Sequence, residues 1–126
     1  MAQFTGLSKI GQISVRVHDV ERAIRFYRDA LGLPFLFQAP GMAFFDAGGT
    51  WLYLTDFKEA EFDHPASVLY FDVDDIVAAH AALAARGVEF RTEPHAVHRA
   101  EGRELWLADF RDGEDNTFAI RQWKAV

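Results

Sequence analysis

Near the start of the chain, apolar Ile13, Val15 and Val17 alternate with polar Gln12, Ser14 and Arg16, and beyond Asp19 the apolar positions return at Val20, Ala23, Ile24, Tyr27 and Leu31. A period of two gives way to one of about 3.6, so a strand is expected to run into a helix. The switch recurs where Leu69, Phe71 and Val73 are followed by Ile76, Ala79, Leu83 and, less strongly, Ala82. In both places an aspartate ends the strand and can accept a bond from a free N–H of the first helical turn, its charge complementing the positive end of the helix dipole. Gly32 and Gly87 then supply the left-handed residue that stops each helix, and Pro34 follows the first stop closely.

Three short apolar runs follow each helix: 35–39, 42–47 and 50–57, then 88–92, 104–110 and 117–123. Pro40-Gly41, Gly48-Gly49 and the stretch from Asp112 to Asn116 are the expected turns between them. The segment bounded by Pro94 and Gly102 reads as a loop before a strand. The pattern predicts an α+β protein in which two βαβββ modules, about 8–57 and 67–124, form one domain over 1–126. A connection containing Pro65, at 58–66, joins them. Two copies are too few for a solenoid, so the modules should close on each other.

Strand alternation sorts side chains by face. If Ile13, Val15, Val17, Leu52 and Leu54 lie under a helix, then Gln12, Ser14, Arg16, Trp51, Tyr53 and Thr55 occupy the other, open face. The fifth strand gives Val68, Tyr70 and Asp72 to that face, and the last gives Thr117, Ala119 and Arg121. The strand before the last gives either Glu104 and Trp106, the expected assignment, or Leu105 and Leu107. Aromatics mixed with a few polar groups suit a small-molecule cleft.

Composition narrows the partners. A net charge of −6, with 13 scattered lysines and arginines, leaves no basic stripe for nucleic acid. The absence of cysteine removes disulfides and thiolate ligands. No apolar run approaches the ~20 residues of a membrane span, and the N-terminus has neither the basic nor the apolar region of a signal peptide, so a cytoplasmic location is expected. Most of the twelve phenylalanines are assigned to core packing.

The chain resembles the vicinal oxygen chelate superfamily, which groups glyoxalase I, extradiol dioxygenases and the fosfomycin- and bleomycin-resistance proteins. The resemblance rests on the run from Val17 to Ala23 leading to Phe26-Tyr27 and Leu31-Gly32, and on the run from Phe71 to Ile76. It rests also on the run from Gly87 to Phe90 and on the segment from Phe110 to Thr117. It implies a cupped mixed sheet with helices outside, commonly in a close dimer, and a metal held by one ligand from the first and one from the last strand of each module. Carried over, those positions are Gln12, Tyr53, Val68 and Ala119. Only Gln12 could serve, because valine and alanine offer no lone pair and a neutral phenol is a poor ligand for a divalent cation. No cofactor is therefore expected.

Three readings follow. The leading one is a metal-independent homodimer that binds a small, partly aromatic ligand through Gln12, Ser14, Arg16, Trp51, Tyr53, Tyr70, Asp72, Trp106 and Arg121, with Tyr53, His98 or Glu104 as proton-moving groups if it is an enzyme. In the second, the protein only sequesters a drug, as bleomycin-resistance members do. In the third, a lyase or dioxygenase metal has moved to His95, His98 and Glu104, with Glu101 close by. Against these stand a solvated loop for the histidines, an ion-pair network for Arg16, Asp72 and Arg121, and a subunit interface for the aromatics. His18 is expected to support a turn, and His64 and His80 to sit on the surface.

Overall fold

The computed structural model describes residues 4–126. The first module is β1 (Gln12–Arg16), α1 (Val20–Arg25), β2 (Phe35–Ala39), β3 (Met42–Ala47) and β4 (Thr50–Thr55). Asp19 caps α1 by accepting from the Arg22 N–H, as the sequence predicts. The helix continues as one wide π turn over Phe26–Ala30, with the Leu31 N–H bonded to the Phe26 carbonyl, before Gly32 at φ +75° turns the chain. The sheet order is β1-β4-β3-β2, parallel between β1 and β4 and antiparallel elsewhere.

The second module repeats this plan with β5 (Leu69–Asp72), α2 (Ile76–Ala85), β6 (Glu89–Phe90), β7 (His95–Ala100), β8 (Arg103–Arg111) and β9 (Thr117–Ala125). Asp75 caps α2 through the Ala78 N–H. β5 runs parallel to β9, β9 pairs with β8, and β6 and β7 both pair with β8 at different points along its length. Two βαβββ modules are therefore present, the second strand of the second one being interrupted at 91–94. This corrects the expected loop over His95 to Ala100. Long β8 leaves a row of backbone groups unpaired beyond β6, and β7 pairs with it.

The helix-side faces of both sheets meet in one core. Val15, Leu52, Leu54 and Phe45 of the first module belong to the same buried cluster as Phe110, Phe118 and Ile120 of the second. Tyr27 of α1 sits between them, its ring 5.8 Å from Phe45 and 6.1 Å from Phe118. Its hydroxyl, deep in this apolar layer, donates to Asp112 at 2.6 Å. Asp112 is itself buried and also receives the Asn116 side-chain N–H and the backbone N–H groups of Glu114 and Asn116. Asn116 in turn donates to the Arg16 carbonyl and accepts from the Ala66 N–H, tying β1, α1, the connection and the β8–β9 turn together.

Burial, then the charge of Asp112 and the bond to it, then the charge of Glu114, push the Tyr27 phenol well above its ordinary value of 10.0. The folded chain keeps that proton, so its contribution to stability is complete below pH 10 and is lost as pH rises from there through the raised folded value. Stability measured by urea titration is expected to fall above about pH 10. Tyr27→Phe should lose that part of the slope, and an unchanged alkaline slope in the variant would show that the phenol is not the group responsible.

Candidate functional site

Registers define the open face of the first sheet. Gln12 pairs with Trp51, and Trp51 with Asp46; in the next row lie Ser14, Tyr53, Phe44 and Phe37; Arg16, Thr55, Met42 and Ala39 follow. The middle row is a ribbon of rings. Phe37 stacks on Phe44 and Phe44 on Tyr53, each at 4.8 Å, while Trp51 meets Phe44 edge-on at 5.5 Å. A bulge at Leu36 turns Phe37 toward the ribbon while Phe35 faces the core against Phe45. Trp51 keeps 39% of its surface exposed and Phe37 45%, so the ribbon is open to a ligand at one end. From sequence, most phenylalanines are assigned to the core without naming which, and Phe37 and Phe44 are two that line the open face instead. The alternation of β3 places Phe44 there, because Ala43 and Phe45 take the buried face and Phe44 must take the other.

At the far end of this face, Arg16 is only 8% exposed. Its Nη1 donates to Asp63 at 3.0 Å and its Nη2 to the Glu114 carbonyl at 3.3 Å. His18 Nε2 lies 2.9 Å from the same Asp63 oxygen, and the His18 N–H donates to the Glu114 carboxylate, which also accepts from the Asp19 N–H. The bond from His18, and then that from Arg16, lower the Asp63 carboxyl below its ordinary value. His18 therefore does hold a turn, together with Asp63 and Glu114, two residues that nothing in the local pattern pairs with it. The connection crosses above Arg16, and Ser14, Arg16, Phe57, Phe62, His64 and Ala66 enclose a cavity of about 160 Å³ beneath it.

On the second sheet, register places Tyr70, Ala119 and Asp109 in one row and Asp72, Arg121, Leu107 and His95 in the next. Tyr70 is 55% exposed, and Arg121 donates to Asp72 as an ion pair. The same register corrects the expected face of β8. Leu105 and Leu107, rather than Glu104 and Trp106, share the face of Arg121, because Trp106 lies opposite Gln122, whose side chain receives the N–H at the start of α2. Trp106 packs on the core and donates to Glu104 at 3.2 Å, with Lys124 over its ring. A bulge at Val97 puts His95 and His98 on one face, His98 near Trp123, while Glu104 points to the other. The trio offered as a relocated metal site is therefore split between two faces. His80 is half-buried, its ring 4.2 Å from Phe90, a correction to its expected surface position. His64 is exposed.

The metal positions that the resemblance implies can be tested on their donors. Gln12 and Tyr53 supply one amide and one phenol, Val68 and Ala119 supply nothing, and Ala119 faces Tyr70 and Asp109 across the sheet. Four such side chains do not offset the dehydration of a divalent cation. Among the described residues no other group of three His, Asp or Glu side chains is placed to replace them.

Paired βαβββ modules with opposed open and buried sheet faces define a class of protein. The family model of the Glyoxalase/Bleomycin resistance protein/Dioxygenase superfamily matches residues 9–120. The chain belongs to that superfamily. It is 29% identical over 126 residues to the uncharacterized protein YraH of Bacillus subtilis, covering 89% of this chain and 96% of that one. It is also 32% identical over 69 residues to the metallothiol transferase FosB of Staphylococcus haemolyticus, an alignment covering 52% of this chain and 50% of that protein. A glyoxalase/bleomycin resistance protein/dioxygenase from Nocardioides superposes with a TM-score of 0.77 over 96% of this chain and 87% of that one, at 22% identity. No helix among the described residues is long and apolar enough to cross a membrane.

Proposed function

We propose that the chain is a binding protein that seats a flat, partly aromatic organic molecule on the open face of its first sheet, as a cytoplasmic homodimer and without a metal ion. The ribbon of Phe37, Phe44 and Tyr53, with Trp51 at its edge, carries this reading. Stacked rings left partly open are a platform for another flat ring. Gln12 and Ser14 flank the platform as polar anchors, and Arg16 stands at its end. Tyr70, Asp72 and Arg121 on the exposed face of the second sheet extend the site when a second copy closes over the first.

Retention is favoured over turnover by the placement of the proton-moving candidates. Tyr53 is part of the ribbon, while His98 and Glu104 belong to the second sheet and face opposite ways. A general acid and base must reach one substrate together. A thermal-shift screen of planar aromatic acids and amides is expected to give hits that mass spectrometry recovers unmodified. Light scattering should give twice the chain mass, and added Zn²⁺ or Ni²⁺ should leave the melting temperature unchanged. Phe44→Ala should weaken a hit by about tenfold or more, since it removes the central ring of the stack. A product peak, a metal-dependent rise in melting temperature or a monomer would each overturn the corresponding part of the reading.

A further inference from the structure

Arg16 and its partner are unequal. The guanidinium is almost wholly buried in the sheet, whereas Asp63 rides on the connection with 41% of its side chain exposed. The bond between them spans 47 residues and fastens that connection over the end of the aromatic face. Arg16 Nε is buried and has no partner among the described residues. A buried donor of this kind is normally satisfied, and a guanidinium presents its N–H groups as a fork that matches a carboxylate. The cavity at Arg16, at about 160 Å³, is smaller than the several hundred Å³ of an ordinary ligand pocket. Its roof consists of Phe57 and Phe62, rings 5.4 Å apart, and Phe57 also meets Tyr53 of the ribbon at 6.4 Å. A ligand ring entering here would continue the ribbon.

We propose that Arg16 is a carboxylate-binding site held shut by the protein's own connection, with Asp63 standing where the carboxylate of an aromatic acid binds once the connection lifts. This rests on the reading of the ribbon as a ligand platform and names the class of ligand it takes. The resident group is itself a carboxylate, so the site accepts a planar monoanion. A dianion such as phosphate is disfavoured by the charge of the Glu114 side chain, which is fixed on the backbone of His18 and Asp19 while the Glu114 carbonyl accepts from the same guanidinium. Asp63 then acts as an internal competitor, and affinity depends on how readily it yields.

The test compares benzoate with its neutral isostere benzamide by calorimetric titration of the full chain and of Asp63→Asn, Asp63→Ala and Arg16→Gln variants, each checked for folding by circular dichroism. Removing the competing charge should tighten benzoate by about tenfold or more, the scale of one charge-assisted hydrogen bond, and leave benzamide unchanged. Arg16→Gln should weaken benzoate selectively. Equal effects on acid and amide, or no gain in either Asp63 variant, would overturn the latch while leaving the platform standing. Failure of both probes to bind any variant would overturn the latch and the platform together.

Discussion

Replacing Asp112 by alanine is expected to cost about 3–5 kcal/mol in urea unfolding, a large fraction of the stability of a domain this size. Its two oxygens collect four donors from two elements, the helix and the β8–β9 turn: the Tyr27 hydroxyl, the Asn116 amide and the backbone N–H groups of Glu114 and Asn116. Alanine would strand the Tyr27 hydroxyl and one N–H of the Asn116 amide, whose other N–H stays on the Arg16 carbonyl, each unsatisfied group costing about 1–3 kcal/mol. Tyr27→Phe removes one donor and leaves the carboxylate three, so its cost should be no more than about 1–2 kcal/mol. Asn116→Ala should fall between them, because the Asn116 side chain also holds the Arg16 carbonyl and the Ala66 N–H. If Asp112→Ala and Tyr27→Phe cost the same, the carboxylate is not the centre of the network.

What the sequence makes legible in this fold is what is decided locally. The caps at Asp19 and Asp75 and the stop at Gly32 depend on residues within one helical turn, and β2 and β3 fall where alternation and turn residues place them. β7 was not legible because Pro94, two histidines and an arginine read as loop. Its strand geometry comes from pairing with β8, whose length exceeds what β6 can cover. The face of β8 was ambiguous for a different reason. Leu105 and Leu107 on one side and Trp106, Ala108 and Phe110 on the other are all apolar, so only the pairing of Leu107 with Arg121 decides. The site divides the same way. Phe44 could be found from the parity of β3, whereas Tyr27–Asp112 and Arg16–Asp63 join residues 85 and 47 apart in sequence, and nothing local announces them.

Phe118→Ala should cost about 3–5 kcal/mol as well, for a purely apolar reason. The ring is fully buried and lies 6.1 Å from Tyr27, 6.0 Å from Phe71 and 6.0 Å from Phe110. It therefore joins the helix of the first module to the sheet of the second, and truncation opens a cavity that neither half can collapse into alone. Phe118→Leu keeps most of the volume and should cost less than about 1.5 kcal/mol. Phe37→Ala, which removes a half-exposed ring from the ligand face, should cost less than Phe118→Ala while still weakening ligand binding. Because the core is shared, Phe118→Ala should move the urea midpoint and leave one transition with an unchanged slope. Two separate transitions would show that each module holds its own core, and the bridging role of Phe118 would have to be abandoned.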